Sequence, residues 1–286
     1  MTEREIDPVT GIETTGHEWD GIKELNTPLP RWWLYTFYAT IVWAIGYFVL
    51  YPAWPSLSGY TKGVLGYSSR AEFAATMEQV NASRAGWLAK FETSSVEEIG
   101  ADQDLLQFAM AGGRAVFADN CQPCHGAGGG GAPGYPVLAD DDWIWGGTLG
   151  DIYTTVQYGV RSGHDDARDN AMPAFGADEM LEPAQIIAAA NHVMALGGAG
   201  AASKEGAAIF EEQCAACHGE DGKGVRELGG PDLTDGIWLY GEGTDAIIAQ
   251  IRAPKHGVMP AWNTRIADVA IKQVSVYVHS LGGGEK

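Results

Sequence analysis

Cysteine is scarce in this chain. Its 286 residues include 4 cysteines, at positions 121, 124, 214 and 217, so none is left over for a separate disulfide or a free reactive thiol. Basic residues are few as well. There are 18 Lys and Arg against 37 Asp and Glu, a formal net charge of −19. A surface of that sign repels nucleic acid and excludes it as a partner, while steering basic proteins inward. The acidic residues do not gather in one run, which argues against a disordered acidic tail. Strand signatures are weak, and loops rich in Gly and Pro separate helix-like segments. The length suggests about two domains.

One uncharged run is present. Residues 32–51, WWLYTFYATIVWAIGYFVLY, are long enough at helical rise to cross a hydrocarbon core of about 30 Å. Trp32, Trp33 and Tyr35 crowd one end, and Tyr47, Tyr51 and Trp54 the other, as in an interfacial aromatic belt. Pro30 and Pro52 bracket the run. A cleaved signal peptide needs a basic leader and a shorter apolar stretch, whereas here a polar, mostly acidic segment comes first. The run is therefore expected to be a single-span anchor. Arg31 is the only base flanking it on the N-terminal side, so charge alone leaves its orientation open.

The rest of the chain contains an internal repeat. GGRAVFADNCQPCHG (112–126) aligns with EGAAIFEEQCAACHG (205–219) at an offset of 93. Further on, GYPVLADDDWIWGG (134–147) matches GGPDLTDGIWLYGE (229–242), MPAF (172–175) matches MPAW (259–262), and LGG (196–198) matches LGG (281–283). The first copy is longer by a loop around SGHDDARDN, residues 162–170, whose role is open between docking and interdomain packing. Apolar residues recur at helical spacing before each CxxCH and near the end of each copy, in 184–196 and 269–281. The expected fold is mainly α: a segment 1–31, a transmembrane helix 32–51, a linker or helical spacer 52–107, and two tandem domains, 108–199 and 200–286. RAEFAATMEQVNASRAGWLAKF (70–91), within the spacer, is predicted to be an amphipathic helix. Units of about 90 residues bury little core alone, and a large apolar cofactor at the centre of each would supply one.

All four cysteines fall in two CxxCH motifs, CQPCHG (121–126) and CAACHG (214–219). A thioredoxin-like dithiol would follow a strand in an α/β unit, a pattern that neither copy has. A shared zinc site would join pairs lying one in each repeat, far apart for structural zinc. CxxCH is the attachment signature of c-type haem. Two thiols a turn apart add across the two haem vinyl groups, and the next histidine sits under the iron. Cys121 and Cys124, and Cys214 and Cys217, are thus read as anchors of two covalently attached haem c groups, with His125 and His218 as proximal iron ligands.

Met172 and Met259 occupy matched positions, each opening an M-P-A-aromatic motif, and are the candidate distal ligands. Paired within its own copy, each follows its histidine by 47 and 41 residues respectively. His164 and His256 are rivals that occupy no matched positions. His/Met ligation saturates the iron and raises its potential, which suits electron transfer. Pro136 and Pro231, in matched G-x-P-x-L motifs, are candidates to accept the proximal ring N–H through their carbonyls. Trp143 and Trp238 also match, and are expected to pack on haem, to bond a propionate, or simply to fill core.

These features resemble the small c-type cytochrome domains with proximal His and distal Met. The block HEWDGIKELNTPLPRWWLYTFYATIVWAIGYFVLYPAWP (17–55) is similar to the N-terminus of subunit III, the dihaem subunit of cbb3-type cytochrome c oxidases, and the likeness extends over essentially the whole chain. The resemblance implies two cytochrome c-like domains on one transmembrane helix in the bacterial cytoplasmic membrane, with residues 1–31 cytoplasmic and 52–286 periplasmic. It implies as partners a catalytic subunit holding haem b, haem b3 and copper, a membrane-anchored monohaem c subunit, and a cytochrome c that donates electrons. Oxygen reduction would then occur on the catalytic subunit. Two other readings are a free-standing tethered dihaem carrier for another redox complex, and a dihaem peroxidase; methionines at both matched positions argue against the second.

Overall fold

The computed structural model describes residues 5–285, so the first four residues of the N-terminal segment and Lys286 lie outside the described residues. The chain divides into two compact units, one ending at Ser83 and one running from Arg84 to the C-terminus.

The N-terminal unit begins with an antiparallel hairpin, β1 (Thr14–Trp19) and β2 (Ile22–Leu25), with Glu18 opposite Lys23 and Trp19 opposite Ile22. Its two-residue turn is Asp20-Gly21, both at positive φ (49° and 84°), the backbone that a tight hairpin of this kind demands. Helix α1 (Arg31–Leu50) follows, and none of its residues is buried. Twenty residues at 1.5 Å each make a rod of about 30 Å. Aromatic rings stack along it four residues apart: Trp33 on Phe37 at 5.4 Å, Trp43 on Tyr47 at 5.4 Å, and Tyr47 on Tyr51 at 4.6 Å. The last carbonyls of a helix have no partner within it. Here a small hairpin, β3 (Pro55–Ser56) and β4 (Gly59–Tyr60), returns the chain so that Val64 and Leu65 donate to Val49 and Leu50.

Helix α2 (Ser69–Thr93) contains the boundary between the units. Its larger apolar residues recur on one face, of which Phe91 is buried while Phe73, Met77 and Trp87 stay exposed. The C-terminal unit continues with α3 (Val96–Ala101), closed at its start by a Ser95–Glu98 capping box, and α4 (Gln103–Asn120), capped by Asp102. Then come α5 (Gln122–His125), α6 (Leu149–Tyr158), α7 (Pro183–Leu196), α8 (Lys204–Gln213), α9 (Ala215–His218), α10 (Thr244–Arg252) and α11 (Asp268–His279).

Three cores form. Phe91, Ile99, Leu105 and Ala109 pack with Val276, so the end of the expected spacer carries core of its own. Phe117, Ile152 and Val156 pack with Ile271, Val274 and Val278. Ile186, Ala189 and Val193 pack with Ile209, Phe210, Ile247 and Ile251. The packing thus crosses the repeat boundary at 199/200. Helix α11, last of the second copy, lies on α4 and α6 of the first, while α7, last of the first copy, lies on α8 and α10 of the second.

Candidate functional site

Each CxxCH is one helical turn set at the end of a longer helix. Cys121 N–H donates to Phe117 O (2.9 Å), and Cys124 and His125 donate back to Cys121 O (3.1 and 2.9 Å). The second motif repeats the pattern: Cys214 to Phe210 O (2.9 Å), with Cys217 and His218 to Cys214 O (3.1 and 3.0 Å). Two thiols and an imidazole therefore project from a single turn. Gly126 and Gly219 end it at φ 75° and 77°, a conformation that favours glycine.

None of the four cysteines is joined to another in a disulfide. Burial, with the neighbouring cysteine adding to it, pushes Cys121 and Cys214 up to about 11. A redox dithiol needs the opposite, a thiolate stabilised near neutral pH, which the surroundings of Cys121 and Cys214 do not supply. Among the described residues no three His, Cys, Asp or Glu side chains converge as a metal cage, and the two cysteine pairs stay in separate cores.

His125 Nδ1 lies 3.1 Å from Pro136 O, and His218 Nδ1 lies 3.1 Å from Pro231 O. A carbonyl only accepts, so Nδ1 carries the hydrogen and Nε2 is left with its lone pair, the tautomer a metal ligand requires. Burial lowers both histidine pKa values, the proline carbonyls partly offsetting it, which keeps the rings neutral and ready to bind. Val116, Leu138, Trp143 and Ile266 pack in the same core as Cys121, and Met194, Leu196, Leu233 and Trp238 in the same core as Cys214. Apolar walls, a neutral imidazole and two free thiols on one turn fit a covalently held haem.

The methionines fall where the repeat does not predict. Met259 packs against the core that contains Phe117 and Cys121, whereas Met172 packs against the core that contains Phe210 and Cys214. Each methionine of the M-P-A motif therefore lies with the CxxCH of the other copy. The cause is helix packing, since the chain after each methionine leads into α7 or α11, which packs on helices of the other copy.

The tryptophans also differ from each other. Trp143 Nε1–H donates to Gly283 O at 2.6 Å, so its indole is bonded to the end of the second copy rather than left free for a propionate. Trp238 lies half-buried against the second core. His164 has both ring nitrogens engaged, Nδ1 with Asp166 N (3.0 Å) and Nε2 beside the Asn263 amide (3.1 Å), and so is not free to ligate. His256 is exposed on the loop after α10. The 162–170 loop, with Arg161 just before it, serves packing within the unit. Arg168 pairs with Asp151 (3.0 Å) and lies 5.9 Å over Trp145, Arg161 Nε–H donates to Gly257 O (2.8 Å), and Asn170 Nδ2–H donates to Leu228 O (2.7 Å).

Two features escaped the sequence reading. One is a pair of helix glycines, Gly113 and Gly206, at the 93-residue offset already visible in the repeat. A Cβ on Gly113 would stand 2.2 Å from Gln273 O, and one on Gly206 would stand 2.2 Å from Ala188 O, so both mark close helix crossings. The other is an acidic cluster from both copies: Asp142 is pushed up to about 6 by burial and then by Asp235, Asp140 and Asp232.

Residues 11–58 match the family described as the N-terminal domain of cytochrome oxidase-cbb3, FixP. Residues 108–193 and 201–278 match the family described as cytochrome C oxidase, cbb3-type, subunit III. The chain is 54% identical over 286 residues to the cbb3-type cytochrome c oxidase subunit FixP of Sinorhizobium medicae, covering 99% of this chain and 98% of that protein. It is 52% identical to the FixP subunit of Bradyrhizobium diazoefficiens, with 98% of both chains covered. It is 48% identical to the CcoP subunit of Azospirillum brasilense over the full length of both.

Proposed function

The chain belongs to the family of cbb3-type cytochrome c oxidase subunit III, and from that membership we propose that it carries two covalent haem c groups, one on Cys121 and Cys124 and one on Cys214 and Cys217. It is an electron-transfer subunit of an oxygen-reducing membrane complex, held in the membrane by an apolar N-terminal helix. Its cytochrome c-type domains imply haem c.

In the proposed loaded state His125 and His218 are the proximal ligands, and Met172 and Met259 the distal ones. The haem supplies a one-electron couple; the chain supplies its setting. The proline carbonyls hold each ring by its Nδ1–H, and apolar walls favour the less charged, reduced state. Met172 and Met259 would keep oxygen off the iron and raise the potential of the couple, so that this chain would hand electrons on and oxygen would be reduced elsewhere. The soluble unit lies on the periplasmic face, where it receives electrons from a cytochrome c. It passes them to a catalytic subunit with haem b, haem b3 and copper, alongside a monohaem c subunit.

The observation that carries this reading is the duplicated contact, 3.1 Å in both copies, between a CxxCH histidine and a proline carbonyl. The test is haem stoichiometry. Two haem c per chain, resistant to acid-acetone extraction, are expected, falling to one in the Cys121→Ala/Cys124→Ala variant. Extractable haem, or a ratio of one in the unaltered chain, would sink the proposal.

A further inference from the structure

We propose that Trp145, in the first copy, is a positioning residue for the second haem site: its indole holds the 228–231 loop against the second CxxCH turn, and the Pro231 carbonyl of that loop sets the His218 ring. The inference deepens the two-haem reading above and rests on it.

The contact begins at Gly229. A Cβ there would stand 2.2 Å from Cζ2 and 2.3 Å from Cη2 of Trp145. The indole therefore lies directly on the loop backbone, in space that only glycine leaves open. Gly230 carries the contact inward, since a Cβ on it would stand 1.7 Å from Cys217 O. Val225 ties the same place together: its N–H donates to Cys217 O (2.9 Å), and its carbonyl accepts from Gly230 N–H (3.2 Å). Pro231 comes next, with its carbonyl 3.1 Å from His218 Nδ1. Indole, glycine pair, CxxCH turn and histidine acceptor are thus in continuous contact.

The end of the 162–170 loop braces both partners of this contact. Arg168 lies 5.9 Å over the Trp145 ring and pairs with Asp151 at 3.0 Å. Asn170 Nδ2–H donates to Leu228 O (2.7 Å), the residue before Gly229. The ring and the backbone it presses on are therefore tied to one loop, which the second copy lacks.

A matched but looser contact runs the other way. Tyr240 stands to Trp145, and Gly229 to Gly134, at the same offset of 95. A Cβ on Gly134 would stand 3.7 Å from Tyr240 Cε1, an ordinary contact, and Gly134 N–H donates to Leu239 O (3.0 Å). Each copy lays an aromatic ring on the loop that carries the proline of the other. Only the Trp145 contact is tight and braced, so the influence of the first copy on the second haem exceeds the reverse.

A hydrogen bond from Nδ1–H to a carbonyl makes the imidazole a stronger donor to the iron. Loosening the 228–231 loop weakens that bond and raises the potential of the second haem. A tryptophan that merely kept water out would act with the opposite sign, because its loss would wet the site and lower the potential.

The test uses the full chain with both haems, reduced and therefore diamagnetic, with isotope-labelled histidine. In Trp145→Leu protein the His218 Nδ1–H is expected to exchange with solvent at least about fivefold faster, as for one ordinary hydrogen bond lost. The His125 Nδ1–H is expected to keep its parent rate. In a redox titration the potential of the second haem rises and that of the first does not move. Trp145→Phe, which keeps an aromatic ring on the loop, should recover part of both effects. Asn170→Ala, which removes the bond to Leu228, should act in the same direction, and it decides the matter where the Trp145→Leu chain fails to accumulate. An unchanged His218 exchange rate in the variants overturns the inference. So does equal acceleration at His125 and His218, which would mean general loosening, and so does a lowered potential with unchanged exchange, which would mean shielding from water. Each of these leaves the two-haem reading standing. A parent chain with no haem on Cys214 and Cys217 overturns that reading and the inference together.

Discussion

Each CxxCH histidine loses water on burial, and its Nδ1–H gains a single hydrogen bond to a proline carbonyl in return. That exchange favours the neutral ring, which is the ligating form. The opposite balance holds at Asp142. It too is partly desolvated, but its neighbours are Asp235, Asp140 and Asp232, so burial and like charge act together and its carboxyl is pushed up to about 6. In the unfolded chain the same group titrates near 4. An acid whose pKa is raised by folding binds its proton more tightly in the folded state. Its contribution is therefore most favourable below about pH 4 and becomes a cost as the pH rises through about 6. Asp142→Asn is accordingly expected to raise the melting temperature at pH 7.5, with the gain vanishing at pH 4. Thermal unfolding followed by circular dichroism at the two pH values checks this, and an equal gain at both would show that repulsion is not the cause.

At the scale of elements, helix glycines separate two situations that a propensity scale treats alike. Glycine inside a helix costs about 1 kcal/mol relative to alanine. Gly86, in α2, has open space where a Cβ would go, so Gly86→Ala is expected to stabilise by about 0.5–1 kcal/mol. Gly113 sits at the α4–α11 crossing with a backbone carbonyl 2.2 Å from the would-be Cβ. A backbone cannot rotate away as a side chain tip can. Gly113→Ala should therefore destabilise, by about 1–3 kcal/mol, despite its better helix propensity. Melting curves of the two variants are expected to move in opposite directions. A stabilised Gly113→Ala protein would mean that the crossing is not tight. The long loop of the first copy works at this scale too. Arg161 donates to Gly257 O, Arg168 reaches Asp151, and Asn170 reaches Leu228, so the loop ties both repeats into one unit.

For the molecule as a whole, a net charge of −19 is the dominant long-range feature. It gives a subunit that passes electrons an attractive field for a basic donor. Reduction by a basic cytochrome c should then slow as ionic strength rises from about 0.01 M to about 1 M, a range in which the screening length falls from about 30 Å to about 3 Å. A loss of at least about tenfold in the second-order rate constant is expected from stopped-flow mixing, given the usual size of electrostatic steering. A rate indifferent to salt would remove the acidic surface from the docking account. The order of the helices belongs at this scale as well, because no local segment reveals that the C-terminal helix α11 packs on α4 of the first copy.

Much of this protein is determined by short stretches of sequence. The anchor is a continuous apolar run, and each haem motif is a single helical turn, so contiguous residues suffice to specify both. The Pro136 and Pro231 contacts were legible because they span only 11 and 13 residues and occur twice. The β1–β2 hairpin also has a local signal, Asp20-Gly21, whose positive φ angles suit a tight turn. The pairing of methionines with histidines was not legible, and the reason is the repeat itself. Helices α7 and α11 carry equivalent contact surfaces, as do α4 and α8, so either pairing satisfies the apolar pattern equally. The glycine notches at 113 and 206 accept a helix backbone without naming which one. Only the tertiary structure, through the Val160–Met259 bridge and the packing of α11 on α4, decided between two arrangements that the repeated sequence leaves degenerate.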